Sequence, residues 1–351
     1  MTESGRPQNI LVVKMSAIGD VIHAMPVAYA IKETYPNSHL TWVVETGCRE
    51  LIEHNPYVDE IISFPKKDFR SLPGLIRNIP PLKAKLTARP YDVALDLQGL
   101  FKSAVIVYLS KAKAAFGFCN MREGSSLISR PVCGAHQQGH VMERYLDVAR
   151  AIGCKVENVR FPLEIQPEEQ ERAEKIAIAA GFSLDVPYVL LTLGANWPNK
   201  RWPAKHLAAV SDWLSLQGVA PVYIGGPGDQ PLLEAVKSFA NRPFFDITGK
   251  TSLIELAALI LKARVFLGGD TGPMHLAAGL GTPVIGLFGP TDTNRNGPYG
   301  AGHRTHVIAL DCAGCWQRSC PKHLDCLAQI SPEAVMESFR ILLAQDREGK
   351  A

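Results

Sequence analysis

Twice along its 351 residues the chain repeats one pattern: a short apolar run, a glycine-bearing turn, then apolar residues at helical spacing. In the first half residues 10–13 lead through Gly19 into Val21, Ala24, Met25, Ala28 and Ile31. Residues 40–44, 60–64 and 93–97 read as further strands, and 48–55 as a helix. The second half reads as strands over 188–193, 219–224, 244–246, 265–267 and 284–287, separated by helices over 206–216, 231–239, 253–262 and 274–280. Strands that are apolar throughout, rather than alternately, need cover on both faces, which a parallel sheet wrapped by helices supplies. Between the halves, FPLEIQPEEQERAEKIAIAAGF combines Pro162, Pro167 and a charge-rich helix start, the composition of a boundary. The expected architecture is α/β. Two facing, doubly wound Rossmann-like domains over 1–165 and 166–330 leave a cleft between them, and a helix within 331–351 closes the chain.

Hydrophobic residues make up 46% of the chain and charged residues 20%, enough to bury a core in each half and too apolar for a disordered protein. The net charge of +3 provides no bulk attraction to nucleic acid. The charge is uneven. Lys66, Lys67, Arg70, Arg77, Lys83, Lys85 and Arg89 stand within 24 residues that hold one acid, Asp68. Such a window suits an anionic partner, either a phosphorylated acceptor or an acidic membrane surface; a solvated, proline-interrupted amphipathic face is the alternative. The opening MTESGRPQN is polar, the first apolar run breaks at Lys14, and Glu255 and Lys262 interrupt the most apolar later stretch. Neither a signal peptide nor a spanning segment is expected, and the protein is expected in the cytoplasm.

In doubly wound sheets ligands bind outside the carboxyl ends of the strands, so the residues after each strand are the candidates. The first such loop, KMSAIGDVIH, sets Asp20 near a helix start, where it is either an N-cap or a general base for an attacking hydroxyl. The loop GGDTGPMH carries Asp270, Thr271, Gly272 and His275. Its glycines admit a ligand to the backbone and its helix N-terminus favours an anion. With the glycine-rich loops at 225–228 and 286–289 it points to a phosphate site, a structural turn being the alternative. No GxGxxG opens this half and no Walker A sequence occurs, which argues against an ordinary NAD enzyme or a P-loop NTPase. The loop ANWPNKRWP adds Lys200 and Arg201, cations suited to phosphate oxygens.

Of the eight cysteines, Cys48, Cys119, Cys133 and Cys154 are scattered as buried small residues usually are. Cys312, Cys315, Cys320 and Cys326 form C-x2-C-x4-C-x5-C, a spacing that allows a structural zinc or iron–sulfur site, with His323 able to replace one thiolate. Oxidative disulfides and reduced packing thiols are the alternatives.

Several of these segments together resemble the ADP-heptose:lipopolysaccharide heptosyltransferases, glycosyltransferase family 9, which have the two-domain GT-B fold. They are ILVVKMSAIGDVIHAMP at the start, YDVALDLQGLFKSA at 91–104, REGSS at 122–126, HVMERY at 140–145, NKRWP at 199–203, GGDTGPMHLAA at 268–278 and GLFGPTD at 286–292. The SxxGD start and the LDLQGLFKSA segment look more like heptosyltransferase I than II. The resemblance implies an inverting transfer of heptose from ADP-L-glycero-D-manno-heptose to the Kdo of a Kdo–lipid A type acceptor, at the cytoplasmic face of the inner membrane and without a catalytic cofactor. Asp20 matches the base that activates the acceptor hydroxyl. Lys200 matches the lysine on the donor phosphates; Thr192, Asp270, Thr271, Gly272 and His275 fall in donor-binding positions. Lys66, Lys67, Arg70 and Arg122 fall where the family places basic acceptor contacts. Two features depart from the pattern. Asp229, in GGPGDQ, stands in for the acid expected on the ADP ribose, and the four-cysteine segment is absent from the best-known enterobacterial members. The competing readings are a heptosyltransferase II-like or other sugar transferase, a GT-B sugar-nucleotide epimerase, and a non-catalytic sugar-nucleotide or lipid A binder.

Overall fold

The computed structural model describes residues 6–69, 71–322 and 325–348. The chain divides into two compact units, 1–164 and 165–351, each built on a six-stranded parallel sheet. In the first unit the strands are β1 (Asn9–Val13), β2 (His39–Glu45), β3 (Glu60–Phe64), β4 (Val93–Asp96), β5 (Ala114–Phe118) and β6 (Arg130–Val132). The helices are α1 (Ile18–Thr34), α2 (Arg49–Glu53), α3 (Leu72–Leu86), α4 (Phe101–Ser110) and α5 (Val141–Ala151).

The second unit carries β7 (Tyr188–Thr192), β8 (Ala220–Ile224), β9 (Phe245–Asp246), β10 (Val265–Gly269), β11 (Val284–Phe288) and β12 (Arg304–Val307). Its helices are α6 (Pro167–Ala179), α7 (Ala204–Leu216), α8 (Gln230–Lys237), α9 (Leu253–Lys262), α10 (Gly272–Gly279), α11 (Thr293–Asn296) and α12 (Pro332–Glu348).

The strand orders are the same: β3-β2-β1-β4-β5-β6 and β9-β8-β7-β10-β11-β12. In both sheets the connections leave the first strand to opposite sides, which makes a switch point at β1/β4 and another at β7/β10. The central strands are apolar and fully covered: Ile10 to Val13 and Tyr188 to Leu191 are all buried. In the second unit Val335, Phe339 and Leu342 of α12 join Val189, Leu191, Leu267 and Ile285 in one core. Local chemistry sets the helix ends. Ser252 caps α9, accepting from the Glu255 N–H at 3.2 Å while its own N–H donates to the Glu255 carboxylate at 2.8 Å.

Two sequence expectations need correction here. The basic window is not broken by prolines: α3 continues through Pro80 and Pro81, because Leu82 and Leu86 anchor its far half in the core. Cys119 and Cys133 are not scattered packing residues but partners in a disulfide that joins the end of β5 to the segment after β6. Cys48 and Cys154 are buried, and burial pushes their thiols up to about 11 and about 12. Among the described residues no helix is long and apolar enough to cross a membrane.

Candidate active site

In the second unit the loops after β7 and β10 meet at the switch point. A Cβ on Gly268 would lie 2.7 Å from Thr192 Oγ1, and one on Gly269 would lie 2.7 Å from the Lys200 carbonyl oxygen, so glycine is what lets these loops approach. Lys200 Nζ donates to Asp270 Oδ2 at 2.6 Å and lies 4.4 Å from the centroid of the Trp197 ring. His275 Nε2 meets the other oxygen, Asp270 Oδ1, at 2.9 Å. The Asp270 side chain is 4% exposed and that of Lys200 13%. Burial works to raise the Asp270 carboxyl, but the hydrogen bond and charge of His275 and the Lys200 ammonium overcome it and hold the group well below the usual carboxylate range.

Thr271 precedes the first turn of α10, Gly272 opens it, and Pro273 occupies a position where a missing N–H costs nothing. The hydroxyls of Thr192 and Thr271 are buried without a hydrogen-bond partner among the described residues. Buried polar groups seldom go unpaired, so two such hydroxyls beside a helix N-terminus and a half-neutralised lysine mark a place for a polar, anionic ligand. Asp229 stands beside it. Its Oδ2 accepts from the Gly226 N–H at 2.8 Å, and it packs against Gly194 in the loop after β7.

In the first unit Asp20 is the third residue of α1 and not its N-cap, which is Ala17. Its Oδ2 accepts from the Ala17 N–H at 3.2 Å. The N–H groups of Met15 and Ser16 both donate to Gln98 Oε1, at 3.0 and 3.1 Å, tying the loop after β1 to the loop after β4. Lys66 Nζ lies 3.6 Å from Glu45 at the end of β2, and Lys102 pairs with the other oxygen of Glu45 at 2.7 Å. Arg122 is exposed, in a turn whose backbone N–H donates to the Gly99 carbonyl at 2.8 Å. Asp20, Lys66 and Arg122 thus gather at the carboxyl edge of this sheet. Arg70 and the side chain of Lys67 lie outside the described residues.

A structural metal at the cysteine-rich segment is not supported among the described residues. Among the described residues no group of three or more His, Cys, Asp or Glu is placed to hold a metal ion, and His323 lies outside them. Cys326 is buried in the core of the second unit with Cys320 packed against it, while Cys315 is exposed. Burial pushes the Cys326 thiol up, and the neighbouring thiols of Cys320, Cys315 and Cys312 push it the same way. The segment is instead strapped to the loops of the site. Trp316 N–H donates to the Pro290 carbonyl at 2.7 Å, and Asn199 Nδ2 to the Gln317 carbonyl at 2.7 Å.

Sequence reasoning assigned no role to Gln98, whose chemistry appears only once β1 and β4 are neighbours. It treated Lys14 as the end of an apolar run, whereas the side chain is buried and donates to Tyr145 Oη at 2.8 Å.

The model of glycosyltransferase family 9 (heptosyltransferase) matches residues 80–324, and the chain belongs to this family. It is 27% identical to the lipopolysaccharide core heptosyltransferase OpsX of Haemophilus influenzae over 84% of this chain and 82% of that one. It is 27% identical to lipopolysaccharide heptosyltransferase 1 of Pseudomonas aeruginosa over 89% and 87%, and 26% identical to lipopolysaccharide heptosyltransferase 2 of Salmonella typhimurium over 96% and 99%. Types 1 and 2 are therefore equally distant. The fold superposes on a glycosyl transferase family 9 structure from Veillonella parvula with a TM-score of 0.85 at 24% identity, covering 96% and 98% of the two chains. It also superposes on Escherichia coli heptosyltransferase WaaC with ADP, with a TM-score of 0.76 at 22% identity over 95% and 99%. The fold is GT-B.

Proposed function

We propose that this glycosyltransferase moves heptose from ADP-L-glycero-D-manno-heptose to the Kdo of the lipopolysaccharide inner core, as a heptosyltransferase I. The observation that carries the reading is the Lys200–Asp270–His275 cluster at the N-terminus of α10, with the partnerless hydroxyls of Thr192 and Thr271 beside it. Asp270 anchors Lys200 so that its remaining N–H donors serve the donor pyrophosphate, together with the first N–H groups of α10. Asp20 takes the proton from the acceptor hydroxyl. The freed oxygen pair bonds to the anomeric carbon from the face opposite ADP, and the bond from that carbon to the phosphate oxygen breaks. Configuration inverts and ADP leaves with the electron pair, its charge stabilised by Lys200 and the helix terminus. The choice of type I rests on the SxxGD and LDLQGLFKSA segments.

Peripheral attachment to the cytoplasmic face of the inner membrane is part of the same proposal. It is supported by exposed Arg77, Lys83 and Lys85 on α3 beside Ile76, which is 69% exposed, and by exposed Phe101 and Tyr108 on the packed α4. The test is incubation with ADP-heptose and a panel of Kdo-terminated and heptosylated acceptors, with products identified by mass. Addition of one heptose to the Kdo-terminated acceptor is expected. Transfer only to heptosylated acceptors makes the protein type II, and epimerisation without acceptor makes it an epimerase, the weaker reading because the matching family is one of transferases.

A further inference from the structure

Sugar transfer leaves the four-cysteine segment, 312–326, without a task. The segment is fastened to two loops of the second unit. Gly314 N–H donates to the Gly289 carbonyl at 2.9 Å and Trp316 N–H to the Pro290 carbonyl at 2.7 Å, both in the loop after β11. The Gln317 carbonyl accepts from Asn199 Nδ2 at 2.7 Å, in the loop after β7. Residues 314–317 therefore bridge the two loops. Trp316 sits in the bridge at a φ of +58°, a conformation that a bulky side chain resists, so the surrounding contacts and not its own backbone preference place it there.

What the bridge gathers is positive charge. Arg318 comes next in the chain, and its guanidinium lies 5.6 Å from the centroid of the Trp197 ring, the same ring that Lys200 Nζ approaches to 4.4 Å. The Arg295 guanidinium lies 4.6 Å from the Trp316 ring, and its neighbour Asn296 donates from Nδ2 to Asp270 Oδ2 at 3.5 Å. Among the described residues neither arginine pairs with a carboxylate. Asp270 is already shared by Lys200 and His275. Asp292, which the bridge passes at Gly314, caps α11 by accepting from the Asn294 N–H at 2.8 Å. Arg295 Nε and the Oδ1 atoms of Asn199 and Asn296 are buried without a hydrogen-bond partner among the described residues. Buried polar atoms seldom stay unpaired, and cations gathered without acids suit an anion. We infer that Arg318 is a second donor-binding cation, delivered by the cysteine segment to share the pyrophosphate of the nucleotide-sugar with Lys200 beside the Trp197 ring. The inference rests on the reading that Lys200 receives that pyrophosphate. Arg201, next to Lys200 in sequence, is engaged elsewhere: its Nε donates to the Ala195 carbonyl at 3.0 Å. Because the pyrophosphate gains negative charge as its bond to the sugar breaks, a cation beside it favours departure of the nucleotide as well as binding.

Arg318 is exposed, so replacing it leaves the core untouched, and two variants of the full-length protein test the role. Arg318→Gln should weaken ADP binding, read by calorimetry, about tenfold, the low end for a contact to a charged group because the side chain meets solvent. It should also flatten the salt dependence of ADP affinity, since one screened attraction is gone. Arg318→Lys should keep most of the affinity and the wild-type salt dependence. An unchanged ADP Kd in Arg318→Gln overturns the inference. So does an equal loss in both variants with the wild-type salt dependence in each, because the side chain would then act by packing on Trp197 and not by its charge. Lys200→Ala separates the inference from the reading beneath it. If that variant binds ADP as the wild type does, the placing of the pyrophosphate at Lys200 fails, and Arg318→Gln still decides whether the cysteine segment meets the nucleotide.

Discussion

The two switch points share a topology and differ in how each treats its carboxylate. At β7/β10 Asp270 is enclosed, with one oxygen on Lys200 and the other on His275, and is held ionised far below any working pH. At β1/β4 Asp20 is half-buried on the first turn of α1, and among the described residues its carboxylate accepts one backbone N–H, that of Ala17. A general base must be able to accept a proton near the operating pH, which Asp270 is built not to do. On the proposed function, identical strand orders carry opposite duties, an anchor for a phosphate-binding cation in one unit and a proton acceptor in the other. The duty is decided by the residues after the strands and not by the sheet.

The sharpest way to break this comparison is to remove the charge of Asp20. Asp20→Asn should lower turnover by ~10²–10⁴, the usual contribution of a general base, while ADP-heptose still binds. Removing the cation from the other switch point should act on binding instead. Lys200→Ala takes away a charge-assisted contact of ~1.5–3 kcal/mol, so ADP affinity measured by calorimetry should fall roughly 10–150-fold. An unchanged Kd would move the pyrophosphate away from Lys200.

On the proposed function, the basic window belongs to the acceptor side of the comparison. Replacing Lys66, Lys67 and Arg70 by Ser should raise the acceptor KM and weaken binding to anionic vesicles, at about 1 kcal/mol for each engaged side chain, and leave ADP affinity alone. Lys66 already faces Glu45 at 3.6 Å, so its share should be the least. If vesicle binding and acceptor KM both survive at physiological salt, recognition moves to Arg122.

The smallest expected effect is on acid stability. Because the Asp270 carboxyl is depressed in the folded protein, its stabilisation is complete above the unfolded value of about 3.9 and is lost as pH falls below it. Below about pH 4 the Tm of the wild type should therefore fall more steeply than that of Asp270→Asn. Parallel curves would mean that Asp270 is not locked as described.

Most of the scaffold was legible because its buried strands are unbroken apolar runs. The run at 60–64 became β3 and the pattern at 253–262 became α9 without adjustment. The strands β5, β6 and β12 were missed. β6 and β12 are short and largely exposed, and AAFGF in β5 gives little apolar contrast to its surroundings. The donor-side candidates Asp229, Asp270 and Thr271 stood out because each lies in a glycine loop after a strand. The interlock did not, since Lys200 and Asp270 are 70 residues apart and meet only when β7 and β10 pair. Spacing suggested a metal at the four cysteines, whereas among the described residues no metal-holding group is found and Cys326 lies in the core.

The division of labour between the switch points is tested most directly by measuring ADP-heptose Kd and the single-turnover rate side by side for Asp20→Asn and Lys200→Ala. Asp20→Asn should keep the wild-type Kd and lose the rate, while Lys200→Ala should lose affinity by at least tenfold. A weakened Kd in Asp20→Asn, together with a wild-type Kd in Lys200→Ala, would contradict that division.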